Sequence, residues 1–181
     1  MKSTKKILLL CGLCVLFAAA IIIVVLAISQ NTVSDNTIFD SEFIELNDTQ
    51  INEYLEQNVY SQWSRSKQEP EYKTFCSHYV LGSDDSHIYL YSAGTDACYK
   101  NNTVEITNGA QTPVVLDVKR NGDKVKITGY GCPEDGGAYT ESLKRIFPEE
   151  FIDKISALTN DDRKALSEDA EKRACEYFKT E

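Results

Sequence analysis

The sequence predicts an α+β protein: a single N-terminal transmembrane helix, then an N-terminal helix, an antiparallel β-meander and C-terminal helices. Three observations predict it. An uncharged apolar run of 23 residues, Ile7 to Ser29, stands near the start. Two-residue alternation flanks an Asn-Gly pair in the middle, and apolar residues recur at three-to-four spacing before and after it.

The run Ile7–Ser29 contains no proline. At about 1.5 Å per residue it is long enough to cross a hydrocarbon core of about 30 Å. Lys2, Lys5 and Lys6 precede it; Asp35, Asp40, Glu42 and Glu45 follow, and the next basic residue is Arg65. The positive-inside rule leaves residues 1–6 as a cytoplasmic tail and the C-terminus extracytoplasmic. The expected location is the cell membrane, single-pass, with the lipid bilayer held through residues 7–29. Ala27-Ile28-Ser29 would suit a signal peptidase, but the apolar run exceeds the roughly 7–15 residues of a secretory signal. An uncleaved anchor is therefore expected. Cys11 and Cys14 both follow leucine, where a lipoprotein signal wants a small residue. They read as membrane-buried thiols.

Charge narrows the partners. The net charge is −9, and setting aside Lys2, Lys5 and Lys6 leaves −12 outside the membrane. Such a surface repels phosphate backbones, which excludes nucleic acid as a partner. Cys76, Cys98, Cys132 and Cys175 lie in the exported part. An even count in an oxidising compartment predicts disulfides, with three possible pairings for two bridges. Cys98 with Cys132 is preferred, because each follows a predicted strand and leads into a loop. The other reading is four isolated buried thiols. No two of the four are spaced for a metal or redox CxxC pair.

Along the exported part, residues 30–47 read as a polar, acidic spacer and residues 48–181 as the domain. Asp48 is placed to cap a helix through Ile51, Leu55 and Val59, with Trp63 continuing the stripe. Ser64–Lys73 is a loop broken by Pro70. Phe75–Leu81 and His87–Ala93 are strands around the turn Gly82–Ser86. In TPVVLDVKRNGDKVKITGY, Asn121-Gly122 predicts a type I′ turn, pairing Lys119 with Lys124, Val118 with Val125 and Leu116 with Ile127. Val114, Leu116, Val118, Val125 and Ile127 would share one apolar face. Asn108-Gly109, soon followed by Pro113, reads as a looser connection. A turn-rich loop follows at Gly131–Gly137. Thr140 opens a helix through Leu143, Ile146 and Phe147 that Pro148 stops. Phe151, Ile152, Ile155 and Leu158 make a second helix. Asn160 or Asp161 caps a third, through Leu166, Ala170 and Phe178.

Catalytic patterns are absent. His78 and His87 lie in neighbouring predicted strands without a third ligand at metal spacing, and ordinary strand histidines are expected. No HExxH, Walker or GxSxG pattern occurs. Ser64-Arg65-Ser66-Lys67 fits SxxK and Ser34-Asp35-Asn36 spells SDN, but their order is reversed relative to penicillin-recognising enzymes and KTG is missing. Glu134 and Asp135 are adjacent in a turn, where carboxylates are normally solvated. The expectation is no enzyme, no catalytic residue, no metal and no cofactor.

Other residues carry a likeness. These are Phe75 with His78, Leu81 and Gly82, then Pro113-Val114-Val115, then Pro133-x-Asp135-Gly136-x-x-Tyr139. Ser142-Leu143-Lys144-x-Ile146-Phe147-Pro148 and the terminal Cys175-Glu176-Tyr177 continue it. Over somewhat more than half of the chain the sequence resembles the C-terminal extracytoplasmic domain appended to some BlaR/MecR-type membrane metallopeptidases of Gram-positive bacteria. The zinc motif, the helix bundle and the penicillin-binding residues of that family are missing here. The resemblance therefore implies location and fold. Cys76, Cys98 and Cys132 depart from the family pattern.

The resulting expectation is a membrane-tethered, non-enzymatic domain that binds an envelope protein or a cell-envelope ligand. The alternatives are an accessory or sensory subunit beside a membrane metallopeptidase, or a hydrolase with an unrecognised site. The loop Pro133, Asp135, Gly136 and Tyr139 reads as a structural joint. Pro133 fixes a φ angle, Asp135 bonds the backbone, and Tyr139 packs between sheet and helix. Its rival reading is a recognition loop.

Overall fold

The computed structural model describes residues 43–179, without the side chain of residue 108. The expected cytoplasmic tail, the anchor, Ser34-Asp35-Asn36 and most of the spacer lie outside the described residues. Among the described residues no helix is long and apolar enough to cross a membrane.

Helix α1 (Asp48–Tyr54) is capped one residue earlier than expected. Asn47 Oδ1 accepts the Gln50 amide at 3.0 Å, and Gln50 Oε1 accepts the Asn47 amide at 3.0 Å. The reciprocal pair satisfies two donors that the helix start would otherwise orphan. The helix continues as a wider turn over Leu55–Val59 and a tighter one over Tyr60–Gln62. Ile51, Leu55 and Val59 are buried as their spacing predicts. Trp63 is not: beyond the change of winding it leaves the stripe and is 50% exposed.

Four strands, β1 (Lys73–Ser83), β2 (His87–Lys100), β3 (Thr103–Asn121) and β4 (Lys124–Gly131), form one antiparallel sheet in chain order. The β1–β2 turn falls where the sequence predicts it. The β3–β4 hairpin is also present, but Asn121 pairs with Lys124, so Gly122 and Asp123 are its two central residues. Gly122 has φ +61° and Asp123 an ordinary φ, the arrangement of a type II′ turn rather than I′. Val118 thus faces Ile127 instead of Val125, and a bulge at Asp117/Val118 sets Leu116 opposite Tyr130. The slip is by two residues, so the predicted apolar face survives: Val114, Leu116, Val118, Val125 and Ile127 all enter one core.

The larger departure is the length of β2 and β3. Asn101 (φ 52°) and Asn102 (φ 60°) make a tight turn between Lys100 and Thr103, both centres in the left-handed region. Asn108-Gly109 is no connection but a bulge inside β3, opposite Thr95 and Asp96.

The two faces of the sheet bury different elements. One packs on α1, joining Leu55, Val59 and Tyr60 to Cys76, Leu90, Val114 and Leu116. The other packs on α2 (Tyr139–Ile146) and α3 (Glu149–Ala157), with Leu143, Phe147, Phe151 and Ile155 against Tyr89, Tyr91 and Val115. Fully burying each large side chain contributes about 1.5–3 kcal/mol. Helix α4 (Asn160–Lys179) completes that layer with Leu166 and Ala174. Its cap is Thr159, whose Oγ1 accepts the Asp162 amide at 3.1 Å while Asp162 Oδ2 accepts the Thr159 amide at 2.8 Å.

The sheet edges differ. Residues just before α1 already belong to the domain: Ile44 exchanges two backbone bonds with Val125 on the outer side of β4. On the outer side of β1, Cys76 N–H donates to Glu56 Oε1 at 2.9 Å, and Arg173 Nη1 donates to Cys76 C=O. Arg173 Nη2 lies 3.3 Å from Glu56 Oε1, so one ion pair closes that edge. Strand β4 pairs only with Val115–Asn121 of β3. Among the described residues, no strand lies outside β3 from Thr103 to Thr112.

Candidate functional site

An open cleft that gathers polar and aromatic groups sits on the α1 face, where that helix leaves the sheet. A cleft of about 60 Å³ is lined by Tyr60, Trp63 and Ser64 from the end of the helix, Thr74 from β1, Gly94–Asp96 from β2, and Gly109 and Ala110 from β3. Glycine at position 94 is required by packing: a Cβ there would lie 2.4 Å from the Tyr60 ring. The Tyr60 hydroxyl lies 3.0 Å from Ser92 Oγ, which donates to Thr112 C=O. Burial pushes the Tyr60 phenol well above its ordinary pKa, so it stays protonated. Trp63 stands edge-on to Tyr60, with ring centres 5.9 Å apart.

Asp96 is the chemical centre of the cleft. It is 3% exposed. Ser64 Oγ and Thr74 Oγ1 both lie 2.8 Å from its Oδ1, and the Arg65 amide donates to Oδ2 at 2.8 Å. All three donors are neutral, and among the described residues no cation lies within ion-pair distance of Asp96; the Arg65 guanidinium turns to Glu69 and the Tyr72 ring. The group beside Ser64 and Thr74 is the Asp96 carboxylate, which accepts from both hydroxyls. Ser64 Oγ is engaged by Asp96, Ser66 and Thr74, so the SxxK spelling does not bring Lys67 onto the serine. Two hydroxyls and a backbone amide thus converge on one carboxylate at the floor of the cleft.

The four cysteines do not gather. All are free thiols, so none of the expected bridges is formed. Cys98 lies within β2 opposite Glu105, whereas Gly131, next to Cys132, faces Val115. Ten residues of β3 separate those levels, about 30 Å, against a limit of about 7 Å for a disulfide. The preference for Cys98 with Cys132 failed because both strands around Cys98 run past it. Cys76 faces Gly94, four residues along β2 from Cys98, about 13 Å. Cys175 is on α4, across the sheet. Burial raises the Cys76 thiol well above its ordinary pKa and the Cys132 thiol to about 12, which keeps both protonated and unreactive.

The histidines are also apart. His78 Nδ1 lies 2.7 Å from Asn52 Oδ1, and burial lowers its pKa. His87 sits in the β1–β2 turn against Asp84, whose carboxyl is held at about 2, first by the Ser86 amide. Among the described residues no group of three His, Cys, Asp or Glu is disposed to hold a metal.

The loop after β4 differs in detail from its expectation. Pro133 is buried, and Gly136 takes φ +69°. Asp135 makes no side-chain cap, and Tyr139 is 36% exposed as the first residue of α2, not packed between sheet and helix. Ser142 does the joining: its buried Oγ accepts the Glu134 amide at 2.8 Å and lies 2.9 Å from the Ala138 C=O. The residues of the cleft were missed because Trp63 reads as one more core position. The available signals were a lone tryptophan after the helix and glycines at 94 and 109.

No family model, no curated protein and no solved structure matches the chain. Several residues on which the sequence reading based its resemblance to the metallopeptidase-appended domain serve packing here. Leu81, Val115, Leu143 and Phe147 share one core, and a Cβ at Gly82 would lie 2.4 Å from the Phe151 ring.

Proposed function

We propose that this chain is a single-pass membrane protein whose extracytoplasmic domain is a non-enzymatic binding module, presenting the Trp63 cleft to an envelope protein or wall-derived ligand. The supporting observation is a half-exposed tryptophan over a glycine-lined cleft that contains a buried carboxylate without a counter-charge. A large aromatic left in water beside convergent polar groups is the composition of a binding hot spot. The 23-residue run and the lysine asymmetry support the tether.

The test is site-specific photocrosslinking in intact cells, with a benzophenone amino acid at position 63 and, as control, at Lys119. The expected result is a discrete adduct from position 63 alone. Equal or absent adducts at both positions refute the assignment of the cleft. Protease added to intact protoplasts should remove a C-terminal tag; a tag shielded until lysis refutes the topology.

A further inference from the structure

The chemistry of the cleft narrows what enters it, granted the binding reading above. Asp96 accepts from Ser64 Oγ, Thr74 Oγ1 and the Arg65 amide, all neutral donors. Among the described residues no cation pairs with it, so a positive group entering the cleft would be its first opposite charge. Tyr60 and Trp63 supply ring faces and edges within the same space, and such rings attract cations. The cleft, about 60 Å³ and open to solvent, has room for a compact ammonium with its first methylene. The exported region carries −12, which concentrates cations around it.

We propose that the Trp63 cleft is a subsite for a primary ammonium group, with Asp96 as its counter-charge and Tyr60 and Trp63 as its walls. The ammonium has two chemical sources, a free alkylamine or a lysine side chain. Gly109 and Ala110 belong both to the cleft and to the unpaired stretch of β3, so an extended segment lying along that edge can direct a lysine inwards.

Trp63 is the sole tryptophan of the chain and reports directly on the cleft. The full-length protein in non-ionic micelles is titrated with n-butylammonium and, separately, with its neutral counterpart n-butanol, following tryptophan emission. Butylammonium should give a saturable change that butanol does not. Asp96→Asn should weaken it about tenfold or more. Should that variant fold poorly, Ala110→Val narrows the cleft without touching the hydrogen bonds of Asp96, and it should weaken binding comparably. A capped Val-Thr-Lys-Val-Thr peptide and its Nε-acetyl form separate the sources. Binding at least about tenfold tighter than butylammonium identifies a lysine-bearing strand, and equal affinity identifies a free amine; both uphold the ammonium site. A response equal for butanol or the acetylated peptide, no saturable response to either amine, or affinity unchanged in both variants overturns it. An adduct at position 63 in cells without amine binding overturns the ammonium and leaves the binding module; loss of both overturns both.

Discussion

Burial raises Glu56 from the ordinary carboxyl value of 4.5 to about 7; its bond to the Cys76 amide and the charge of Arg173 offset only part of that cost. Because the folded-state pKa lies above the unfolded one, the native protein retains a proton that the unfolded chain releases. The group therefore favours folding fully below pH 4.5, and this contribution is lost as pH rises to about 7. At 1.36 kcal/mol per unit the loss amounts to about 3 kcal/mol. Glu56→Gln removes the titration and retains an oxygen to accept the Cys76 amide. Urea unfolding of the full-length protein in micelles, from pH 4.5 to 8, measures both forms. His78 titrates in both and cancels in the difference. The wild type should lose about 3 kcal/mol relative to the variant across this window. Parallel stability curves would refute the reasoning, since they would mean that Glu56 has the same proton affinity folded and unfolded.

Three further outcomes follow from packing and backbone geometry. Gly94→Ala forces the Tyr60 ring aside and should cost about 1–3 kcal/mol, read as a lower urea midpoint; an unchanged midpoint would contradict the close approach. Gly122→Val meets open space but a φ of +61°, and should cost about 1–2 kcal/mol, whereas Gly109→Val should cost little; equal losses in melting temperature would count against the turn. Ser142→Ala should cost about 1–3 kcal/mol by stranding the Glu134 amide, while Tyr139→Ala, at an exposed position, should stay within about 0.5 kcal/mol; the reverse order would restore Tyr139 as the joint.

The α+β class and the apolar face of the β3–β4 hairpin were legible because both depend on periodicity. A two-residue slip leaves that face intact, so its prediction survived an error in register. The long β2–β3 hairpin was not legible. Asn101-Asn102 carries no glycine, and the residues around Asn108-Gly109 alternate weakly because one of them is a bulge. The Cys98–Cys132 preference followed from that error. Caps fall earlier than expected at both α1 and α4, where Asn47 precedes Asp48 and Thr159 precedes Asn160 and Asp161, side chains that also suit a helix start. The cleft was hidden because its components lie on four separated segments. Asp96 becomes its centre only through the bulge and the position of Thr74 on the adjoining strand.

The Glu56–Arg173 pair occupies the outward N–H and C=O of Cys76, and Ile44 occupies the corresponding groups of Val125 on the far side. The consequence lies in how another strand would meet this sheet. At Cys76 and Val125 an arriving strand would have to displace bonds already made, whereas among the described residues no strand stands outside Thr103–Thr112.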